Sequence, residues 1–353
     1  MNEILKQPSL KKIGSIKRQG VKLSAQDMIK IDYLEPDCPL PIVIQPSVEK
    51  LNLISWANNN RELIETHLLK EGGILFRNFQ LNSIAEFENF MQSNFGKLLE
   101  YSYRSTPRTQ VSNQVYTSTE YPPEQSIPLH NEMAYTLSWP MKICFYCIQP
   151  SEQGGATPIA NSRKIFERIN PTIREKFQDK KIMYVRNYGN GLDLPWETVF
   201  QTNDKSEVEK YCDRAGIKFD WQEGNSLRTY QVCQAVASHP KTGEMVWFNQ
   251  AHLFHISNLT KQVQEQLLSV FEEDELPRNT YYGDGSPIET SILDEIREIY
   301  QQEAVKFPWQ AGDVLLLDNM LTAHGRTPFV GKRKVVVGMA ESLDFLQKSG
   351  NRE

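Results

Sequence analysis

The sequence predicts an α+β fold: a double-stranded β-helix (jelly roll) core with flanking helices and a helical insert. Three observations carry that expectation. From about residue 127 onward, short apolar runs alternate with turn signals such as Gly154-Gly155, Pro240-Lys241-Thr242-Gly243 and Gly331-Lys332. Helical stretches interrupt these runs without the regular β-α alternation of a parallel sheet. No internal repeat, low-complexity tract or obvious linker divides the 353 residues. The chain therefore reads as a polar N-terminal arm (1–40) followed by one domain (41–353), within which 195–300 is partly an insert or lid.

The arm is polar and carries a basic stretch from Lys11 to Lys22, of the kind that usually lies solvated on a surface. Residues 47–70 are expected to form a helix capped by Ser47, with Leu51, Ile54, Trp56, Leu63 and Leu68 at roughly helical spacing and Gly72-Gly73 ending it. Ile74-Leu75-Phe76 reads as a buried strand. Residues 83–97 read as an amphipathic helix with Phe87, Phe90, Met91 and Phe95 on one face. Further strands are expected near 141–149, 155–160, 182–189, 228–237, 244–249, 313–318 and 333–340, and further helices over 161–180 and 257–273.

Composition excludes several classes of function. Hydrophobic content of 39% and charged content of 24% are those of an ordinary globular protein. A net charge of −5 gives no support for nucleic-acid binding, which would favour a basic patch. No window approaches a membrane span, and the N-terminus lacks the basic-then-apolar pattern of a secretory signal. Five cysteines without framework spacing fit a reducing, cytoplasmic compartment. Cys144 and Cys147 form a Cys-x-x-Cys, but they lie in a predicted strand, where residues three apart face opposite ways. No second pair completes a zinc site, so core packing is the expected role.

Chemistry concentrates in two distant motifs. One is His130-Asn131-Glu132; the other is His324, followed downstream by Arg333. On a strand, positions i and i+2 share a face, so His130 and Glu132 would present two ligands together. His324 follows the apolar run Val314-Leu315-Leu316-Leu317 and would join them from another strand. Two imidazoles and a carboxylate make a facial triad that suits Fe(II) and leaves positions open for a co-substrate and O2. Among the six histidines, His252 and His255 form a rival pair, with no carboxylate at matching spacing. Arg333 offers a bidentate fork for the far carboxylate of 2-oxoglutarate, and Thr157, just after Gly154-Gly155-Ala156, could add a hydroxyl. Lys334 would face the other way.

These residues carry a resemblance. The runs Gly-Gly-Ile-Leu-Phe-Arg-Asn-Phe, Pro-Leu-His-Asn-Glu-Met-Ala-Tyr, Gly-Gly-Ala-Thr-Pro-Ile-Ala and Gly-Asp-Val-Leu-Leu-Leu-Asp-Asn-Met with His-Gly-Arg beyond it span roughly 70–340. They resemble the taurine dioxygenase-like family of Fe(II)/2-oxoglutarate oxygenases, in particular the clavaminate synthase-like branch that modifies amino acids in nonribosomal-peptide-type pathways. The resemblance implies that His130, Glu132 and His324 hold iron, and that Thr157 and Arg333 hold 2-oxoglutarate. Arg326 competes with Arg333, because the arginine's distance from the distal histidine varies across the family. Halogenases of this class have a small residue in place of the carboxylate, so Glu132 argues against halogenation.

The expected reaction consumes 2-oxoglutarate and O2, and hydroxylates an unactivated C–H bond; desaturation or cyclisation can follow the same hydrogen abstraction. The branch points to an amino acid, free or on a peptidyl carrier protein. Arg186, Asn249 and Tyr121 are the substrate-site candidates, with Trp247-Phe248 beside them. The run Tyr281-Tyr282-Gly283-Asp284-Gly285 has the glycines of a mobile loop. Two other readings stand beside this one: a zinc-type hydrolase using the same His-x-Glu and His residues, and a non-catalytic metal-binding jelly-roll regulator.

Overall fold

A computed structural model describes residues 28–344, apart from 36, 37, 102, 104 and 190. The basic stretch Lys11–Lys22 lies outside the described residues. The spine is a seven-stranded sheet. Its order is Ile29–Glu35, Cys38–Pro46, Gly73–Phe76, Val314–Asp318, Ser138–Gln149, Lys334–Asp344 and Val115–Thr117. All neighbours are antiparallel except Cys38–Pro46 with Gly73–Phe76. Within the arm expected up to residue 40, Ile29–Glu35 and the start of the next strand instead pair within this sheet, with Ile29, Ile42 and Ile44 supplying the buried face.

The central strands read as unbroken apolar runs because both faces are covered. Cys144, Tyr146, Val314, Leu316 and Val336 pack on one face, under the helices Arg61–Glu71 and Ile84–Phe95. Ile143, Phe145, Cys147, Leu315, Leu317 and Val337 pack on the other. Each such Leu or Val contributes about 1.5–3 kcal/mol by leaving water. Cys144 and Cys147 thus face opposite ways as unpaired core thiols, and burial pushes the Cys147 thiol up to about 12.

Local chemistry adjusts several expected elements. The helix expected over 47–70 is two helices, Leu53–Asn58 and Arg61–Glu71. Asn52, not Ser47, caps the first, accepting from Ser55 N–H at 2.9 Å. Asn59 and Asn60 break the run, their side chains donating to the Ser55 and Trp56 carbonyls. Gly72 closes the second at φ 90°, and an added Cβ there would lie 2.4 Å from Thr322 Oγ1. The expected 83–97 helix forms as Ile84–Phe95 with Ser83 as its cap. The helix expected over 161–180 divides into Ser162–Arg168 and Pro171–Lys180, because Pro171 restarts it at its first turn. The helix expected over 257–273 is reduced to Lys261–Leu268. The strand expected at 155–160 is only Ile159–Asn161, and the 228–237 strand splits into Leu227–Cys233 and Val236–Ser238.

A three-stranded sheet, Ile127–His130, Thr322–Arg326 and Ile159–Asn161, faces the inner side of the large sheet, with the His324 ring 5.1 Å from that of Phe145. A four-stranded antiparallel sheet, Lys218–Trp221, Leu227–Cys233, Ile182–Tyr188 and Arg278–Tyr282, stands beyond it. The architecture is mixed α+β. Among the described residues, no helix is long and apolar enough to cross a membrane.

Candidate metal centre

His130 ends one strand of the three-stranded sheet, and His324 sits in register directly opposite it on the next. Their rings are 4.5 Å apart. Glu132 adds a carboxylate whose Oε2 lies 3.8 Å from His324 Nε2. One donor atom from each residue falls within 4.8 Å of the other two. Among the described residues this is the one group of three or more His, Cys, Asp or Glu side chains so arranged.

The strand geometry expected for Glu132 is corrected. The strand stops at His130, and Glu132 lies in a turn. Buried Asn319 explains this. Its side chain accepts from Glu132 N–H at 2.7 Å and donates to the carbonyls of Glu132 (2.9 Å) and Pro140 (2.8 Å). The backbone groups a strand would pair are thereby taken by one amide.

The donor set fits a metal. His130 Nδ1 faces the Pro128 carbonyl at 2.8 Å, so donation there leaves Nε2 as the lone pair. His324 Nδ1 is buried without a hydrogen-bond partner. Burial holds both imidazoles neutral: it lowers His130, against the pull of Glu132, and drives His324 well below its ordinary value, with His130 adding to the effect. Neutral imidazole is the ligating form. The rival histidines do not share a site. His252 Nε2 faces the Leu129 carbonyl at 3.0 Å, bracing the residue before His130, while His255 Nδ1 pairs with Ser257.

On one side of the histidines lies a small cavity lined by Ser118, Phe145, Thr157 and Arg333. Arg333 Nε donates to the Gly155 carbonyl at 2.9 Å, and Nη1 to Ser118 Oγ at 3.2 Å, while Nη2 stands 3.5 Å from Thr157 Oγ1. Trp309 Nε1–H also donates to Thr157 Oγ1, at 3.1 Å, so the threonine's own O–H is left to donate. Burial, with Arg326 nearby, draws the Arg333 guanidinium down to about 10. Arg326 is already occupied, donating to the carbonyls of Thr119, Tyr121, Pro122 and Gln125. Lys334 is exposed, whereas Arg333 is half-buried.

Residues 37–339 match the family described as taurine catabolism dioxygenase TauD, TfdA family. The chain belongs to that family. It is a 2-oxoglutarate-dependent dioxygenase whose metal is iron. The chain is 41% identical to the dapdiamide synthesis protein DdaC of Enterobacter agglomerans, over 79% of this chain and 85% of that one. It is 29% identical to a clavaminate synthase-like protein of Arabidopsis thaliana, over 86% and 94%. In fold it resembles PvcB from Pseudomonas aeruginosa (TM-score 0.53, 12% identity, 91% and 94% covered). It also resembles a taurine dioxygenase from Burkholderia xenovorans (TM-score 0.51, 16% identity, 89% of both chains). Neither the zinc-hydrolase nor the regulator reading draws support from these relatives.

On its other side, the His130, Glu132 and His324 cluster opens to a cleft of about 1000 Å³ that reaches His130 and Glu132. Tyr121 lines it. Arg186 and Asn249 do not. Arg186 is buried behind Asp193, 3.6 Å away, with its guanidinium over the Tyr188 ring. Asn249 spends its amide on the Ala235 carbonyl (2.7 Å) and Ala251 N–H (3.0 Å). Trp247 and Phe248 are core. The Gly283–Gly285 turn packs on Lys180 and is not part of the cleft wall. The wall is instead built from 191–195, the Leu253–Leu267 region and Arg278. Sequence reasoning missed Ser118, Arg278 with its partner Asp193, and above all Arg108. Arg108 sits in Ser-Thr-Pro-Arg-Thr, a segment with no periodicity or motif to mark it.

Proposed function

We propose that this dioxygenase hydroxylates an unactivated C–H bond of an amino acid, free or carried on a peptidyl carrier protein, in a specialised-metabolite pathway. The observation that carries the reading is the position of the triad between two different cavities: a small one ending at Arg333 and an open cleft large enough for a separate substrate. The 41% identical relative is named for dapdiamide synthesis, and a solved relative in fold is described as an Fe, alpha-ketoglutarate dependent oxygenase from an isonitrile synthetic pathway. Both names speak of small-molecule biosynthesis. In this reading the seven- and three-stranded sheets are the two layers of a double-stranded β-helix, and part of 195–300 folds over the cleft.

His130, Glu132 and His324 are the proposed iron ligands, and Arg333 with Thr157 the seat of the distal carboxylate of 2-oxoglutarate. Bound there, iron supplies O2 activation coupled to decarboxylation of 2-oxoglutarate. The protein's part is orientation and exclusion of water. Arg333 is braced by Gly155 and Ser118, so its free edge is held in one direction. Asn319 sets the Glu132 turn, and His252 steadies the strand end at His130. Tyr121 and the 191–195 segment wall the cleft.

The test is a screen for succinate formation with free L-amino acids and with aminoacyl carrier proteins, each product being weighed. A product heavier by one oxygen atom supports hydroxylation. Loss of two hydrogens without added oxygen assigns desaturation or cyclisation instead. Succinate formation that no amino acid stimulates refutes the substrate class.

A further inference from the structure

Arg108 lines both the large cleft and the small cavity, and the triad does not use up its donors. Its side chain is only 4% exposed, and Nη2 lies 2.6 Å from Glu132 Oε2. Its guanidinium lies over the Tyr101 ring at 4.6 Å. A guanidinium carries five N–H donors in a rigid fork. Glu132 takes one of them, and neither Nε nor Nη1 has a hydrogen-bond partner although both are buried. Whichever N–H of Nη2 Glu132 uses, one edge of the fork remains for a second, two-pronged acceptor.

The surroundings narrow what that acceptor is. The segment Ser105–Arg108 forms part of the large cleft's wall, next to His130 and Glu132. The cleft's other lining cation, Arg278, is already paired through two nitrogens with Asp193. Arg108 also lines the small cavity, where Arg333 with Thr157 is the proposed seat of the distal 2-oxoglutarate carboxylate. The cleft wall also includes the apolar side chains of Leu253, Leu259, Val263 and Leu267, of which Leu259 and Val263 are exposed to solvent, so apolar surface is available beside the polar groups.

We propose that Arg108 is a specificity-determining residue that binds a carboxylate of the substrate beside the metal while holding Glu132 with its other hand. The site then takes a free carboxylic acid with an apolar or extended remainder. An aminoacyl thioester has no free α-carboxylate to offer, so the free form of the substrate is selected over the carrier-bound one. This rests on the assignment of His130, Glu132 and His324 to iron, but not on the substrate being an amino acid.

The test uses the protein loaded anaerobically with Fe(II) and saturating 2-oxoglutarate. Calorimetric titration compares 4-bromobenzoate with 4-bromobenzamide, which differ only in the group offered to Arg108. One charge-assisted pair corresponds to roughly tenfold or more in affinity. Wild type should bind the acid at least tenfold more tightly than the amide, and R108Q should lose that preference. R108K, with charge but no fork, should keep part of it. Anomalous scattering should place the bromine in the large cleft, with the carboxylate on Arg108. The affinity for 2-oxoglutarate, read from the weak visible band of the Fe(II) complex, should change less than about threefold in R108Q.

Equal binding of acid and amide by wild type, or no binding of either, overturns the proposal without any variant. A fall in 2-oxoglutarate affinity in R108Q, with acid binding intact, reassigns the edge to the co-substrate's keto-acid end. If amino acids prove inert while 4-bromobenzoate still depends on Arg108, the substrate reading fails and the carboxylate site stands.

Discussion

Replacing Arg333 with Met removes the cation at the closed end of the small cavity. Nε is committed to Gly155, so the Nη1 and Nη2 groups beside Ser118 and Thr157 are the ones that can meet a carboxylate. Two charge-assisted hydrogen bonds are lost, each worth about 1.5–3 kcal/mol, and only the Thr157 hydroxyl remains to donate. A net loss of about 3–4 kcal/mol raises the Kd for 2-oxoglutarate roughly 100- to 1,000-fold. R333K keeps the charge without the fork and should fall between wild type and R333M. The assay is anaerobic titration of the Fe(II) protein with 2-oxoglutarate, followed by the visible band. R326M is the control: its four carbonyl partners belong to the 119–125 segment, so it should lower Tm more than it weakens 2-oxoglutarate. A shift below threefold in R333M, or a larger loss in R326M than in R333M, refutes the assignment.

Three further outcomes are expected. His324→Ala and Glu132→Ala should each abolish the Fe(II)-dependent band while leaving a folded protein by circular dichroism; a band of wild-type intensity in either would remove that residue from the metal. Asn319→Leu leaves the Glu132 amide and two carbonyls without partners in the interior, at about 2–4 kcal/mol, so both Tm and Fe(II) affinity should drop; an unchanged Fe(II) affinity would show that the turn holds itself. His255 is held down to about 4, chiefly by burial with Arg297 adding to it, against an ordinary value of 6.5. The unfolded chain therefore takes up a proton that the folded one refuses, and stability that is full above about pH 6.5 declines as pH falls toward 4. Chemical denaturation of His255→Asn across that window should show a shallower decline than wild type, and an identical slope would exclude this histidine as a source.

Much of this was readable in one dimension. The periods of helix and strand are local, so Phe87, Phe90 and Met91 announced a buried helix face, and the 141–149 and 313–318 runs announced buried strands. The opposite facing of Cys144 and Cys147 also follows from strand period alone. His130, Glu132 and His324 were visible as residue types, because few side chains can ligate iron. What the chain text could not supply was which backbone and side-chain groups capture one another across long separations. Asn319 turns Glu132 out of the strand, and four carbonyls of 119–125 claim Arg326, while Arg333 stands beside Thr157 in the small cavity. Backbone partners absorb Asn249, Asp193 stands between Arg186 and the cleft, and Arg108 emerges from an unmarked loop against Glu132. Periodicity encodes which face a residue takes. The satisfaction of buried polar groups depends on every neighbour that folding brings within about 3 Å, and only the assembled structure makes that choice.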